Sequence, residues 1–320
     1  MSWGETAEAF LQARHNPRAL QDWQNSWMGR VWRLGRRATE AQELLARLGH
    51  DVAPAVVPDG VVFLTAGSDM QGTADGGFFY PWLVVGWGAD GSGWVVDFGR
   101  AADLAELEAR VLARSFMRQQ DQAPLEVSLL LADSGYEKDK IYRWVARFDA
   151  GRVRAAKGLG EISSGAPFRA VPLDDRTHKV NKRIPRQLAS RFLWQLNTAY
   201  YQEWLQGVLD QSLAGEPGAV HFPRQAPGVG ELLAEVLNEA LTTITDADGY
   251  QKLAWKKVRP HLPNDWRDCL RYARSAADLE VGGEWKRISL VRPRLAGPAK
   301  PKRRRPSKRV ASGGFAGHWA

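Results

Sequence analysis

One cysteine, Cys269, stands in a chain of 320 residues, so no disulfide can close within it and no CxxC metal or redox motif exists. A reducing compartment suits such a chain. No run of 18 apolar residues occurs, so no membrane span is expected. The first twenty residues carry Glu5, Glu8 and Arg14 where a signal peptide needs an apolar core. Several chemical signatures are missing as well. There is no HExxH or HxxEH zinc spacing, and His178 and His221 show no ligand pattern. No GxxxxGK[ST] loop is present to cradle a nucleotide, and GADGSG reads as a turn rather than a GxGxxG fingerprint. No GxSxG elbow appears, and Ser134 has no evident histidine partner.

What remains is an ordinary soluble composition, 44% hydrophobic and 25% charged, long enough for one large domain or two small ones. The net charge of +8 is unevenly spread. PAKPKRRRPSKRV (298–310) holds seven basic residues and no acid, and removing those seven charges leaves +1 for everything else. The folded part is therefore nearly neutral. A basic tail of this kind raises affinity for a polyanion in a salt-dependent way, or simply keeps a terminus solvated.

Periodicity divides the chain into three parts. Residues 1–55 read as a helical segment: apolar positions recur at three and four in GETAEAFLQARH and PRALQDWQNSWMGRVW, and ATEAQELLARLGH follows with Thr39 as N-cap and Gly49 as stop. Three short helices cannot bury their faces alone, so they are expected to pack on something else. Residues 56–282 alternate strands and helices. VVFLTAGSDM and LEVSLLLAD are buried strands, and FFYPWLVVGWG with GWVVDFGR is a hairpin. AADLAELEARVLARSFMRQQ is expected to be a helix, 158–187 a long irregular loop, and NDWRDCLRYARSAADLEV the last helix. This order predicts an α/β fold, a mixed central sheet with helices on its faces. Residues 283–320 are expected to be a disordered basic tail.

Three aspartates stand out in this frame. Asp69 and Asp133 each end a buried strand, where ligands of open α/β sheets collect. Each alone is as well explained as a turn cap. Together, two carboxylates on neighbouring strand ends repel unless a cation sits between them. Asp268 lies beside the apolar stripe of the last helix and could face the same edge. Asp265, one turn earlier, is the runner-up ligand or a helix-dipole residue. Carboxylates are ligands for hard divalent cations, and two such ions about 4 Å apart cleave phosphodiesters by stabilising the attacking and leaving oxygens. Lys157 ends another strand and could meet a phosphate. Tyr200, Tyr201 and Trp204, at helical spacing, read as core before they read as a base-stacking platform.

LTAGSDMQG, VVGWGADGSGWVVDFG, LLADSGYEKDKIYRWVARFDAGRVRAAKG, GAVHFP and NDWRDCLRYARSAA, in this order, resemble the nuclease portion of the large terminase subunit of lambda-like tailed phages. SWGETAEAFLQARHNPRALQDWQNSWMG resembles the segment that joins that family's packaging ATPase to its nuclease. The resemblance implies an RNase H-like fold and Mg²⁺- or Mn²⁺-dependent cutting of concatemeric double-stranded phage DNA, with two ions. Its acidic residues carry over to Asp69, Asp133 and Asp268, and Asp265 falls where the family often has glutamate. It implies an ATPase part, a small terminase subunit and a portal as partners, and the host bacterial cytoplasm as location. No Walker motif occurs here, so this chain is not expected to translocate DNA by itself. The helix after LWQLN carries Tyr200, Tyr201 and Gln202 where relatives often have lysine. Phosphate contacts are expected from Lys157, from Lys179, Lys182 and Arg183 in the long loop, and from Arg303, Arg304 and Arg305 in the tail. The rival readings are a non-catalytic assembly or DNA-docking module, and another RNase H-like nuclease such as a resolvase.

Overall fold

The structure, a computed structural model, describes residues 2–13, 17–28, 40–160, 162, 165–173, 191–245 and 251–295. Lys179, Lys182, Arg183, His178, Arg303, Arg304 and Arg305 lie outside the described residues. The helices are α1 (Trp3–Ala13), α2 (Pro17–Ser26), α3 (Ala41–Leu48), α4 (Lys138–Val145), α5 (Thr198–Gln211), α6 (Val229–Val236) and α7 (Asp265–Glu280). The main strands are β1 (Val61–Ser68), β2 (Phe78–Gly88), β3 (Gly93–Ala101), β4 (Val127–Asp133), β5 (Val153–Leu159), β6 (Phe168–Pro172), β7 (Phe192–Asn197) and β8 (Val220–Pro223). Strands β9 (Glu239–Thr245) and β10 (Gln251–Lys257) form a separate antiparallel hairpin.

Ten strands make one mixed sheet. Its order is Gly49–His50, β8, β3, β2, β1, β4, β5, β7, β6, with Gln71–Gly72 paired to β2 off the path. Strands β1, β4, β5 and β7 run parallel, while β2 is antiparallel to both β1 and β3. β1 is buried along almost its whole length because both faces of the sheet are covered, so it reads as a continuous apolar run. Phe63 points into the face covered by α3, α6 and α7, while Leu64 and Ala66 join the opposite face with Ile141, Trp144 and Val145 of α4. The helix-flanked mixed sheet that the resemblance implies is the architecture observed.

Helix α7 packs directly on β1. Its start carries Asp265 and Asp268 in the first turn, where acids complement the helix dipole. Its end is made by Gly282 and Gly283, both at positive φ, with the Gly283 amide bonded 2.7 Å from the Asp278 carbonyl. Gly67 permits the close approach: a Cβ there would fall 2.0 Å from the Cys269 carbonyl oxygen and 2.7 Å from the Ala273 nitrogen. Thr65 Oγ1 then donates to the Ala273 carbonyl at 2.7 Å, and Trp87 Nε1 donates to that same hydroxyl at 2.7 Å.

α3 packs on the sheet, as a short helix unable to bury its own face is expected to: Leu44 and Leu48 are fully buried in the core, and Gly49–His50 pairs with Phe222–Pro223. Four other expectations need correction, the first of them on α3 itself. Its N-cap position is Glu40, without a side-chain cap bond, rather than Thr39. Residues 101–120 are not one helix. A short α-turn (Leu104–Leu107) widens into a π-turn (Glu108–Leu112), and Phe116–Arg118 is a strand, because Leu107, Val111 and Leu112 must all reach one core. The described part of 158–187 is not all loop, since β6 pairs antiparallel with β7 as an edge strand of mostly exposed or half-buried residues, which periodicity cannot reveal. The chain does not loosen at 283. Trp285–Leu290 forms a 3₁₀ turn, Ile288 is buried, Trp285 packs tilted against Trp87 with centroids 5.6 Å apart, and Leu295 bridges to Leu125.

Candidate active site

Ser68 pairs with Ala132 in the parallel β1–β4 ladder, so Asp69 and Asp133 stand next to each other where the two strands end. Neighbouring strands lie roughly 4.8 Å apart, which fixes the scale of that juxtaposition. Asp69 is 7% exposed. Its amide donates to the Pro81 carbonyl at 3.1 Å, which holds the residue in the sheet edge. Its carboxylate accepts from the Met70 amide at 2.8 Å and the Gln71 side-chain amide at 2.6 Å. Asp133 accepts from the Tyr272 hydroxyl at 2.5 Å and the Gly135 amide at 2.8 Å. Asp268 is half-buried and ion-paired with Arg271, one turn along the same helix.

Burial, then the charge of Asp133, then that of Asp268 push the Asp69 carboxyl well above its ordinary range. Burial also raises Asp133, opposed by Tyr272 and Gly135 and reinforced by Asp268. The Tyr272 phenol is raised well above its ordinary value by burial and by Asp133 and Asp69. Asp268 on α7 therefore acts on both strand-end carboxyls, which themselves sit in a desolvated crevice. That is an environment in which a cation is stabilising and bare carboxylates are costly.

Asp265 belongs elsewhere. It is buried beside Glu235, and its carboxyl is pushed up to about 6 by burial and by that glutamate. Glu235 in turn accepts from the Trp266 amide at 3.1 Å and pairs with Arg100. Of the two candidates on α7, the structure brings Asp268 to the electrostatic cluster of Asp69 and Asp133. Lys157 is exposed on β5, one strand beyond Asp133. Tyr201 is core, while Tyr200 is 43% exposed. His221 stacks on Trp94 and Ser134 donates to the Ala156 carbonyl at 2.8 Å, so neither shows a catalytic partner.

The acids do not form a closed cage. Among the described residues no group of three or more His, Cys, Asp or Glu side chains could hold a metal ion as placed. The donor chemistry suits a hard divalent cation. Asp133 and Asp268 also engage Tyr272 and Arg271, each contact using one carboxylate oxygen and leaving the other oxygen of the pair. Sequence reading missed these partners, although Arg271 and Tyr272 lie three and four residues after Asp268 and so share its helix face. It missed Arg267 too, which is fully buried, ion-paired with Glu239 at 3.2 Å and bonded to Gln206 at 3.1 Å, anchoring the start of α7.

A helix-flanked mixed sheet with acids converging at one edge defines the class. The sequence matches the family described as terminase large subunit gpA, endonuclease domain, over residues 1–284, and the chain belongs to that family. Among solved structures it is similar to a lysine-to-alanine mutant nuclease domain of the large terminase subunit gp2 of bacterial virus Sf6, with manganese and beta-thujaplicinol. Identity there is 12%, the TM-score is 0.35, and the match covers 74% of this chain and 94% of the other. No curated protein matches.

Proposed function

We propose that this chain is a metal-dependent endonuclease that cuts concatemeric double-stranded phage DNA during genome packaging. The observation that carries the proposal is the juxtaposition of Asp69 and Asp133 on neighbouring strand ends, with Asp268 of α7 acting on both carboxyls. These residues would hold Mg²⁺ or Mn²⁺, two ions in this reading. Bound there, the ions supply a nucleophile at neutral pH and stabilisation of charge developing at the phosphate. The chain's own groups do the positioning. Met70 and Gln71 fix the Asp69 carboxylate, Tyr272 orients Asp133, and Arg271 restrains Asp268 until it is required. DNA contacts fall to Lys157 and to Lys179, Lys182, Arg183, Arg303, Arg304 and Arg305, chiefly with phosphates.

The same reading places the chain in the host bacterial cytoplasm with the ATPase part of a terminase, a small terminase subunit and a portal as partners. Trp3 and Leu11, 85% and 57% exposed on α1, are apolar surface suited to such a contact. No helix among the described residues is long and apolar enough to cross a membrane.

Plasmid nicking in Mn²⁺, silenced by EDTA and restored by fresh Mn²⁺, tests the activity. Nicking that persists in EDTA would remove the metal from the proposal, and no nicking in any divalent ion would leave the docking reading in its place. Tyr272→Phe tests the positioning role. It leaves the acid set intact but removes the donor to Asp133, so nicking should fall about 10–100-fold, as for loss of an outer ligand partner. The acidic limb of its pH–rate profile should move upward, since Tyr272 holds the Asp133 carboxyl down. Wild-type rates and an unmoved limb would show that the hydroxyl positions nothing.

A further inference from the structure

Behind Tyr272 lies a second feature that the acids do not use. A small, half-open cavity of about 40 Å³ is lined by Gly158, Thr198, Tyr201, Arg271, Tyr272 and Ser275. Two of its polar groups are orphaned. Arg271 Nη1 is buried and has no hydrogen-bond partner, although the other guanidinium nitrogen pairs with Asp268. The Tyr201 hydroxyl is likewise buried and makes no well-formed hydrogen bond, with Ser275 close enough to interact with it weakly. Such groups cost about 1–3 kcal/mol each when unsatisfied, so a buried pair opening on one cavity calls for an occupant.

The lining states what the occupant is. Every orphan is a donor, and one carries a charge. Thr198 adds a hydroxyl and is the first residue of the 14-residue α5, whose positive end faces anions favourably. The first-turn amides are partly spent, since Ala199 donates to Gly160 and Tyr200 to Asn197, so the side chains must do the holding. Gly158 keeps the space open, because a Cβ there would come 2.8 Å from Thr198 Oγ1 and 3.9 Å from the Tyr272 hydroxyl. Asp133 and Asp268 border the cavity through Tyr272 and Arg271, and both are already held. We infer that this cavity is an oxyanion subsite, which seats a phosphate group on Arg271, Tyr201 and Thr198 next to the acidic crevice.

The phosphate is either a backbone phosphate of bound DNA or free inorganic phosphate. The first source rests on the nuclease reading, and the second does not. Tyr201→Phe and Thr198→Val remove donors with little change of shape. In metal-free buffer with EDTA, inorganic phosphate at constant ionic strength should raise the melting temperature of the wild type saturably. Each variant should need about tenfold more phosphate for the same shift, and Gly158→Ala, which fills the cavity, should abolish it. Nicking of duplex DNA then separates the sources. A backbone phosphate predicts a tenfold rise in KM for Tyr201→Phe, with the loss in KM rather than kcat, whereas an unmoved KM assigns the subsite to free phosphate. A wild type that does not respond to phosphate, or variants that respond like it, overturns the subsite. A wild type that binds phosphate but never nicks DNA overturns only the nuclease reading.

Discussion

Asp69→Asn is expected to reduce Mn²⁺-dependent nicking by about 10³-fold or more. A metal-organised carboxylate accounts for several kcal/mol of transition-state stabilisation, and each 1.36 kcal/mol is a factor of ten. Stability should move in opposite directions with and without metal, which separates lost chemistry from lost folding. The Asp69 carboxyl sits well above its ordinary range in the folded chain. Its contribution is therefore favourable below the ordinary carboxylate value and is lost as pH rises through the raised one. In EDTA, at a pH above that raised value, the charged form is a burden that asparagine lifts, while one oxygen remains to accept from Met70. The variant should then melt about 2–4 °C higher per kcal/mol relieved. In saturating Mn²⁺ the order should reverse, because wild type gains about 2.7 kcal/mol at a hundredfold excess over Kd and the variant gains little. Thermal melts of both proteins in EDTA and in Mn²⁺ read this crossing. Parallel responses would mean that Asp69 is a turn residue and not a ligand.

Gly67→Ala is expected to cost at least about 3 kcal/mol, the upper end of overpacking penalties. The new Cβ would meet the Cys269 carbonyl, the Ala273 nitrogen and Tyr272 Cβ, and two of these are main-chain atoms that no rotamer change can move. Helix α7 would have to lift from β1, breaking the Thr65–Ala273 bond. The same movement carries Asp268 and Tyr272 away from Asp69 and Asp133. Activity should therefore fall further than the folded fraction does. Melting and nicking measured on one preparation test it, and a wild-type melting temperature would show that the helix can lift from the strand at no cost.

Much of this was legible from residues alone, and for identifiable reasons. β1 and β4 are unbroken apolar runs because both faces of their strands are buried, and each run ends on an aspartate. The β2–β3 hairpin announces itself through ADGSG, and α7 through its stripe. Other features are set by partners distant in sequence. Glu108–Leu112 has helix-like spacing and widens only to satisfy the core beneath it. β6 has no apolar face to betray it, and it becomes a strand by pairing with β7. Residues 285–295 look polar, yet Ile288 and Trp285 find cover against α7 and β2. Asp265 and Asp268 have similar local sequence, and only Glu235 and Arg100 on one side, Asp69 and Asp133 on the other, tell them apart. The orphaned Tyr201 hydroxyl could not be foreseen, since a lost partner is a property of packing.

The bridge between Leu125 and Leu295 sets a leash. The Glu126 amide bonds to the Arg294 carbonyl at 2.8 Å and the two side chains pair at 3.2 Å, so the chain leaves the sheet at the beginning of β4. Asp133 is at the other end of that strand, eight residues on, or roughly 26 Å at about 3.3 Å per residue. Arg303 follows Leu295 by the same eight residues and could span that distance only when fully extended. Under the proposed nuclease reading, the tail's charge would therefore serve as a tether that raises the local concentration of DNA, and the choice of bond would be left to the crevice.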